Sequence, residues 1–163
     1  MWTNQTCTLT SKDYAILETI HDRSHMLADP ARQILTHKLD TATVVFCEDI
    51  DANIVTLNTR LRYRIGASRP QTAIITQSPM DGMVGQCLSL QTARGLACLG
   101  LAEAAAMALP GVDGSPPERL VVEAILFQPE AARRDRLKQE LSRPSLRLVH
   151  SAHLDIDPPP DRL

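Results

Sequence analysis

The spacing of hydrophobic residues between positions 11 and 45 predicts two helices that form a hairpin. Ser11 is the expected N-cap of the first helix, because its hydroxyl can accept a free backbone N–H, and Asp13 suits the positive end of the helix dipole. Hydrophobic residues then recur three and four positions apart, which is typical of a helix with one buried face. They are Tyr14, Ile16, Leu17 and Ile20.

A break around residues 24–29 separates this helix from the second one. Asp29 precedes Pro30, and proline is favoured at the first position of a helix, where its missing N–H is not needed. The apolar face of the second helix consists of Ile34, Leu35, Leu39 and Ala42. Two helices of about 13 to 15 residues with a short connection pack antiparallel and extend roughly 20 Å.

Alternation of hydrophobic and polar residues from position 54 to position 65 predicts a β-strand with one buried face. Arg60, Arg62 and Arg64 share one parity, so we expect them to form a basic stripe on the exposed face. This stripe suits contact with an acidic partner surface, although charged stripes are also typical of ordinary solvated faces. The residues expected to point inward are Val55, Leu57, Leu61 and Tyr63.

Later segments predict four more strands and two more helices. The strands are predicted at 72–77, 86–90, 104–109 and 119–128, and the helices at 93–99, capped by Thr92, and at 129–141. The strand at 119–128 is hydrophobic on both parities, which suits a central strand. The helix at 129–141 is charged, with Leu137 and Leu141 as a narrow apolar edge, and residues 157–160 are expected to be an extended end.

Composition indicates a small folded protein. The 163 residues are 44% hydrophobic and 22% charged, but only 3% aromatic, so the core must be aliphatic. A net charge of −2 argues against tight nonspecific binding to nucleic acid. No apolar run approaches the roughly 20 residues that cross a bilayer, and the amino terminus lacks the pattern of a signal peptide. The four scattered cysteines, Cys7, Cys47, Cys87 and Cys98, form no CxxC pair, so a cytoplasmic location with reduced thiols is predicted.

Asp22, Arg23 and Asp29 are the charged residues expected at the hairpin tip, where they are candidates for contact with a partner. Carboxylate oxygens are the ligands that Mg²⁺ prefers. However, Asp22 and Asp29 are seven positions apart and no tight acidic cluster surrounds them, so no metal and no other cofactor are predicted. The nucleophile elbow, the P-loop and the GxGxxG motif are absent from the sequence, and no enzymatic activity is expected.

Several segments follow one another along the chain: the short hairpin, IVTLNTRLRYRIG from residue 54, a strand and loop through Met80 and Asp81, the helix ARGLACLGL from residue 93, a strand ending at Leu109-Pro110-Gly111, and VEAILFQPEAA from residue 122. In this order they resemble the GreA/GreB transcription elongation factor family, and within it the Rnk-type regulators of nucleoside diphosphate kinase. The resemblance implies an α+β fold: a short antiparallel hairpin at 11–47, an FKBP-like antiparallel sheet with a short helix at 48–132, and a charged extension at 133–163. Where the family has a glycine-acidic turn after the helix, this chain has residues 102–106, so either the helix continues or the next strand is short.

The resemblance also implies a function. We expect a transcription regulator that binds core RNA polymerase near the secondary channel, through which nucleotides enter, with at most indirect contact to DNA and none to membranes. The short hairpin implies modulation of elongation or competition with Gre factors. Two alternatives stay open, namely a cleavage-competent elongation factor and an FKBP-like module that binds a peptide or small ligand. The sequence leaves open the oligomeric state and any direct link to nucleoside diphosphate kinase.

Overall fold

The computed structural model describes residues 6–79 and 86–144 of the chain. Its elements in chain order are β1 (Thr8–Thr10), α1 (Ser11–Asp22), a 3₁₀ turn (Ser24–Met26), α2 (Asp29–Thr41), β2 (Thr43–Val45), β3 (Arg60–Ile65), β4 (Gln71–Thr76), β5 (Cys87–Ser89), α3 (Ala93–Cys98), β6 (Ala106–Leu109), β7 (Glu118–Phe127) and α4 (Pro129–Ser142). The predicted loop through Met80 and Asp81 and the predicted extended end at 157–160 lie outside the described residues. Within those residues, no helix is long and apolar enough to cross a membrane.

Five strands form one sheet in the order β5-β4-β3-β7-β6. Neighbouring strands are antiparallel except β4 and β5, which are parallel. A separate parallel pair, β1 with β2, joins the residues that lead into α1 to those that leave α2. The predicted α+β fold, a helical hairpin followed by a largely antiparallel sheet with a short helix, is confirmed.

The hairpin and the sheet share one hydrophobic core. Leu17 of α1 and both Ile34 and Leu35 of α2 are fully buried in the same cluster as Leu61 of β3 and Leu96 of α3. Burial of an aliphatic side chain of this size stabilises a fold by about 1.5–3 kcal/mol. The apolar faces predicted for the two helices therefore hold the hairpin against the body of the molecule.

The segment predicted as one strand from 54 to 65 is regular only in its second half, which forms β3. Residues before Arg60 turn instead: Asn58 has φ +65°, and the N–H of Thr59 donates to the carbonyl of Thr56. Thr56, which has the parity of the exposed arginines, is buried where the backbone turns, and Thr59, which has the inward parity, is buried as well. The predicted inward residues, Val55, Leu57, Leu61 and Tyr63, are all buried.

Two of the predicted helix starts are displaced by one residue. Thr10, not Ser11, is the N-cap of α1, and its Oγ1 accepts the N–H of Asp13 at 3.0 Å. Ala28 is the N-cap of α2, so Asp29 is already helical. For α3 the prediction is confirmed, because Oγ1 of Thr92 accepts the N–H of Gly95 at 3.2 Å.

The structure after α3 shows whether residues 102–106 continue the helix or precede a short strand. The helix ends at Cys98, so the alternative of a longer helix is wrong, and the strand is short, beginning at Ala106. Between them Ala104 has φ +67°, a left-handed conformation in which an alanine is strained. The N–H of Ala104 donates to the carbonyl of Val122 at 2.8 Å, which holds the turn against β7.

Strand β7 lies between β3 and β6, as predicted for a central strand, but its two faces differ. Leu120 and Val122 are fully buried, whereas Leu126 and Phe127 are 49% and 51% exposed. The expectation that both faces are covered along the whole strand is therefore wrong at its end. The end of β7 leaves two large hydrophobic side chains half-exposed.

Candidate functional site

The outer face of the sheet is basic. Arg60, Arg62 and Arg64 are exposed and alternate with the buried Leu61 and Tyr63, so the three arginines occupy the solvent side of β3 as the alternation predicted. Arg119, on the neighbouring β7, is also exposed, in register with Ala108 of β6. The structure thus brings together the three arginines proposed from sequence and adds a fourth.

Glu123 neutralises the middle of this face. The Nε of Arg62 lies 3.4 Å from Oε2 of Glu123, and the Nε of Arg64 lies 3.5 Å from Oε1. Pairing between β3 and β7 shifts register between Arg62 and Tyr63, next to Glu123. These ion pairs could not be predicted from sequence, because the strand register that places Glu123 beside two arginines depends on that irregularity.

The charge of Arg60 is not compensated by an ion pair with any residue in the described part of the chain. Its Cα pairs with that of Phe127 across β3 and β7, so an arginine that forms none of these ion pairs and a half-exposed aromatic residue occupy paired positions on neighbouring strands. Aromatic residues and arginines are the side chains most enriched at the energetic centres of protein interfaces. Among the three predicted arginines, Arg60 is therefore the best placed to meet a partner.

At the hairpin tip, Arg32 holds the connection between α1 and α2. Its Nε donates to the carbonyl of Ser24 at 3.2 Å, and Nη2 donates to the carbonyl of Leu27 at 3.1 Å. Its Nη1 lies 3.1 Å from Oδ1 of Asp29, whose side chain is 80% exposed. Arg32 was missed from the sequence because any basic residue on a helix surface looks solvated until the fold of the connection is known.

The three residues predicted at the tip do not form one cluster. Asp29 pairs with Arg32, whereas Arg23 lines a cleft of about 450 Å³ together with Gln77 and Ser78, which follow β4. Asp22 is exposed at the end of α1. Across residues 6–79 and 86–144, no group of three or more histidine, cysteine, aspartate or glutamate side chains is arranged to hold a metal ion.

A buried polar network joins the hairpin to the β domain and to α4. Asp13 is 1% exposed, its Oδ2 accepts the N–H of Leu57 at 3.3 Å, and its Oδ1 has no hydrogen-bond partner. Burial raises the pKa of Asp13 above its ordinary 3.8, and the carboxylate of Glu130 raises it further, against the hydrogen bonds from Leu57 and Thr10. Glu130, in the first turn of α4, accepts the hydroxyl of Thr56 at 2.6 Å.

A buried lysine joins the hairpin to α3. Lys38 of α2 is 1% exposed, and its Nζ donates to the carbonyls of Leu99 and, at 3.1 Å, Ala97, which terminate α3. Burial lowers the pKa of Lys38, because no carboxylate in the described residues compensates its charge. Burial also raises the pKa of Cys98 to about 12, so this thiol is an inert core residue, as expected, and all four cysteines are free.

Comparison with known proteins finds solved structures that resemble this chain. No protein-family model and no curated protein matches the sequence. The solved structure of the prokaryotic transcription elongation factor GreA/GreB from Nitrosomonas europaea matches this chain with a TM-score of 0.56 and 26% sequence identity. The match covers 76% of this chain and 100% of that chain. The chain shares the fold of a GreA/GreB elongation factor.

Two further GreA-type structures are more distant. Gfh1 (GreA factor homolog 1) of Thermus thermophilus is 16% identical over 76% of this chain and 100% of that one, with a TM-score of 0.35. Gfh1 of Thermus aquaticus is 14% identical over 74% of this chain and 98% of that one, with a TM-score of 0.36.

The GreA/GreB-like fold also contains a cleft between the hairpin and the β domain. Its volume is about 560 Å³, and its walls are the start of α2, the start of α3 and the loop between β6 and β7. The lining is mostly alanine, proline, leucine and valine, with Arg94 and Glu118 as its charged residues and no aromatic side chain. Its size is within the range of sites for small ligands.

Proposed function

We propose that this chain binds the core of bacterial RNA polymerase in the cytoplasm and modulates transcription, as a regulator of the GreA/GreB type. The observation that carries the proposal is the likeness to an elongation factor over 76% of this chain and the whole of that one. In this proposal the β domain at 48–132 docks on the polymerase, and the hairpin at 11–47 points toward the secondary channel.

The proposed action is modulation or competition with Gre factors, without transcript cleavage. Helices α1 and α2 have 12 and 13 residues, which corresponds to a reach of about 20 Å. Asp29 is engaged with Arg32 and Asp22 is exposed at the end of α1, and in the described part of the chain no group of three or more potential ligand side chains could hold a metal ion. Such a hairpin would block the channel and deliver no metal ion.

The proposed docking surface is the outer face of the sheet, with Arg60, Arg62 and Arg64 at its centre. Complementary charge across an interface accelerates association with an oppositely charged surface. Glu123 offsets one of the two charges on Arg62 and Arg64, whereas Arg60 and Arg119 form no ion pair within the described residues and leave the face with a net positive charge. The polymerase surface that faces it should therefore be acidic.

The decisive experiment measures the affinity of the purified chain for core RNA polymerase, with a Gre factor as competitor. We expect competition, and we expect opposite effects from two substitutions on the same face. Arg60→Glu should weaken binding roughly tenfold, and Glu123→Gln should strengthen it severalfold, because it releases two guanidinium groups. Both effects should shrink at high salt.

The matched control is Arg136→Glu, which reverses one charge on α4, away from the sheet. It should leave polymerase affinity unchanged. No binding at tens of micromolar polymerase would refute the proposal, and equal losses from Arg60→Glu and Arg136→Glu would show that net charge, not this face, determines affinity.

A cleavage-competent factor is the first alternative. A stalled elongation complex incubated with the chain and Mg²⁺ distinguishes the two, since a cleavage factor shortens the transcript from its 3′ end. The proposal requires that the transcript keep its length and that cleavage by an added Gre factor be inhibited.

The cleft of 560 Å³ favours one other candidate, a module that binds a small ligand or peptide. Its volume falls within the range of about 300–1,000 Å³ of ligand sites. A proline-containing tetrapeptide, titrated while amide chemical shifts are followed, tests this candidate. Shifts confined to Ala93, Arg94 and the loop between β6 and β7 would support it.

A finer proposal is that the chain belongs to the Rnk-type regulators of nucleoside diphosphate kinase. The segments from residues 54, 93 and 122 support it by their resemblance to that group. If this proposal holds, cells that lack the chain should have a changed level of nucleoside diphosphate kinase. If the change arises through binding to RNA polymerase, cells that carry the Arg60→Glu variant should show the same change.

A further inference from the structure

Helix α4 is attached to the body of the molecule by one face of its first two turns. Glu130 accepts the hydroxyl of Thr56 at 2.6 Å. Four residues later, Arg134 donates from Nη1 to the carbonyl of Glu48 at 3.2 Å. Positions four apart lie on one side of a helix, so these two contacts define the attached face.

The same face continues beyond the attachment as an apolar stripe. Leu137 and Leu141 follow Arg134 by three and seven positions, which places them in line with it. They are 53% and 87% exposed, and no residue of α4 is buried. A helix of about 14 residues is marginally stable in water without a packed face. Because both leucines are exposed, the stripe that they form, here called the α4 stripe, is not covered by any of the described residues.

Positive charge surrounds the α4 stripe. Arg133, Arg134 and Lys138 all lie within about one turn of Leu137, and Glu140 is the acidic residue next to it. The whole chain has a net charge of −2, so this concentration of positive charge runs against the average of the molecule. A second copy of α4 would bring its own cations against these, which disfavours self-association through the stripe.

We propose that the α4 stripe, with Arg133 and Lys138 on its flanks, is a docking site for an acidic amphipathic segment of another protein. Its occupant would place apolar side chains over Leu137 and Leu141 and carboxylates opposite the two cations. This arrangement, with an apolar centre and charged edges, is that of a protein interface. The site is separate from the outer face of the sheet and does not depend on the function proposed above.

The test uses the full chain and two synthetic amphipathic peptides, with fluorescence anisotropy as the readout. Both peptides have leucines three and four positions apart; one has glutamates on either side of them and the other has lysines. We expect the acidic peptide to bind and the basic one not to bind. Leu137→Ser should weaken binding of the acidic peptide roughly tenfold.

A charge exchange makes the test specific. The double variant Arg133→Glu with Lys138→Glu should lose the acidic peptide and gain the basic one. Arg136→Glu, which points away from the stripe, should leave the affinity for both peptides unchanged. Because all these side chains are exposed, the fold should persist, and circular dichroism of each variant verifies it.

Other occupants give distinct results. A dimer whose formation requires Leu141, found by sedimentation, would overturn the proposal in favour of a second copy of the chain. Binding to vesicles of phosphatidylglycerol and phosphatidylcholine without binding to the acidic peptide would overturn it in favour of a membrane surface. Failure of the acidic peptide to bind, or equal binding of both peptides, would also overturn it.

Discussion

The hydroxyl of Thr56 donates a 2.6 Å hydrogen bond to the carboxylate of Glu130, which lies 74 positions later in the chain. Thr56 is fully buried, and its hydroxyl lies 3.0 Å from that of Thr59. One acidic side chain thereby fixes the first turn of α4 to the segment that follows the hairpin. Gln128 supports the same junction, since its Nε2 donates to the carbonyls of Asp51 and Ile54 at 2.8 and 2.7 Å.

Glu130→Ala should lower the free energy of unfolding by about 1.5 kcal/mol, because a hydrogen bond to a charged group is lost. Glu130→Gln keeps an acceptor oxygen and should cost less. Urea denaturation measures both values. Glu140→Ala, an exposed glutamate on the same helix, is the control and should stay within about 0.5 kcal/mol of the parent. Equal effects at positions 130 and 140 would contradict this account of the junction.

Asp13 should make stability fall as the pH rises. Its folded pKa lies above 3.8, so the native state holds this proton more tightly than the unfolded state does. The resulting stabilisation is present below pH 3.8 and is lost as the pH rises through the folded pKa. Asp13→Asn removes the titration and keeps an oxygen acceptor for the N–H of Leu57. As the pH rises from 3.8 through the folded pKa of Asp13, the free energy of unfolding of Asp13→Asn should therefore increase relative to that of the parent.

Denaturation at a series of pH values tests the prediction, with the carboxyl resonance of Asp13 as a direct readout. Glu130→Gln should move the titration of Asp13 toward lower pH, because the neighbouring carboxylate raises its pKa. If the difference in free energy of unfolding between Asp13→Asn and the parent stays constant with pH, Asp13 is not the source of the pH dependence of stability.

Lys38→Met should destabilise the fold by about 2 kcal/mol. The substitution removes the cost of burying an amine, but it leaves the carbonyl of Ala97 without this donor and that of Leu99 with only the weak donor Sγ of Cys7, and an unsatisfied buried acceptor costs about 1–3 kcal/mol. Lys12→Met, the same change at an exposed position, should be nearly neutral. Chemical denaturation compares the two variants. A stabilised Lys38→Met would mean that burial of the amine costs more than its hydrogen bonds contribute.

Ala104→Gly should stabilise the protein by about 1 kcal/mol, because glycine adopts the left-handed conformation at φ +67° without strain. Ala108→Gly, in β6, is the matched control and should destabilise by roughly 0.5–1 kcal/mol, since its backbone is ordinary strand. Thermal unfolding separates the two, and a loss of stability at both positions would argue against strain at Ala104.

The hairpin could be predicted from sequence because its signals are local. Hydrophobic residues three and four positions apart set the buried faces of α1 and α2, and Pro30 sets the start of α2. The N-cap of α1 was misplaced because Thr10 and Ser11 are adjacent hydroxyl residues, and only the backbone conformation decides between them. Alternation likewise identified the inward residues of β3.

The parts that could not be predicted depend on contacts between distant segments. Thr56 breaks the outward parity of polar residues, because its hydroxyl is hydrogen-bonded inside the protein to Glu130 and lies 3.0 Å from the hydroxyl of Thr59. Glu123 reaches Arg62 and Arg64 only through an irregular strand register. The burial of Lys38 was unexpected for the same reason, since its partners are carbonyls of α3 rather than an acidic residue.

The shared core of the hairpin and the sheet has an evolutionary consequence. Leu17, Ile34 and Leu35 are fixed by the body of the molecule, so insertions into these parts of α1 and α2 would disrupt packing throughout. The connection at residues 22–29, which is mostly exposed, has no such constraint. Descendants of this chain could lengthen the hairpin at that point, in whole helical turns, and acquire a longer reach without redesign of the body.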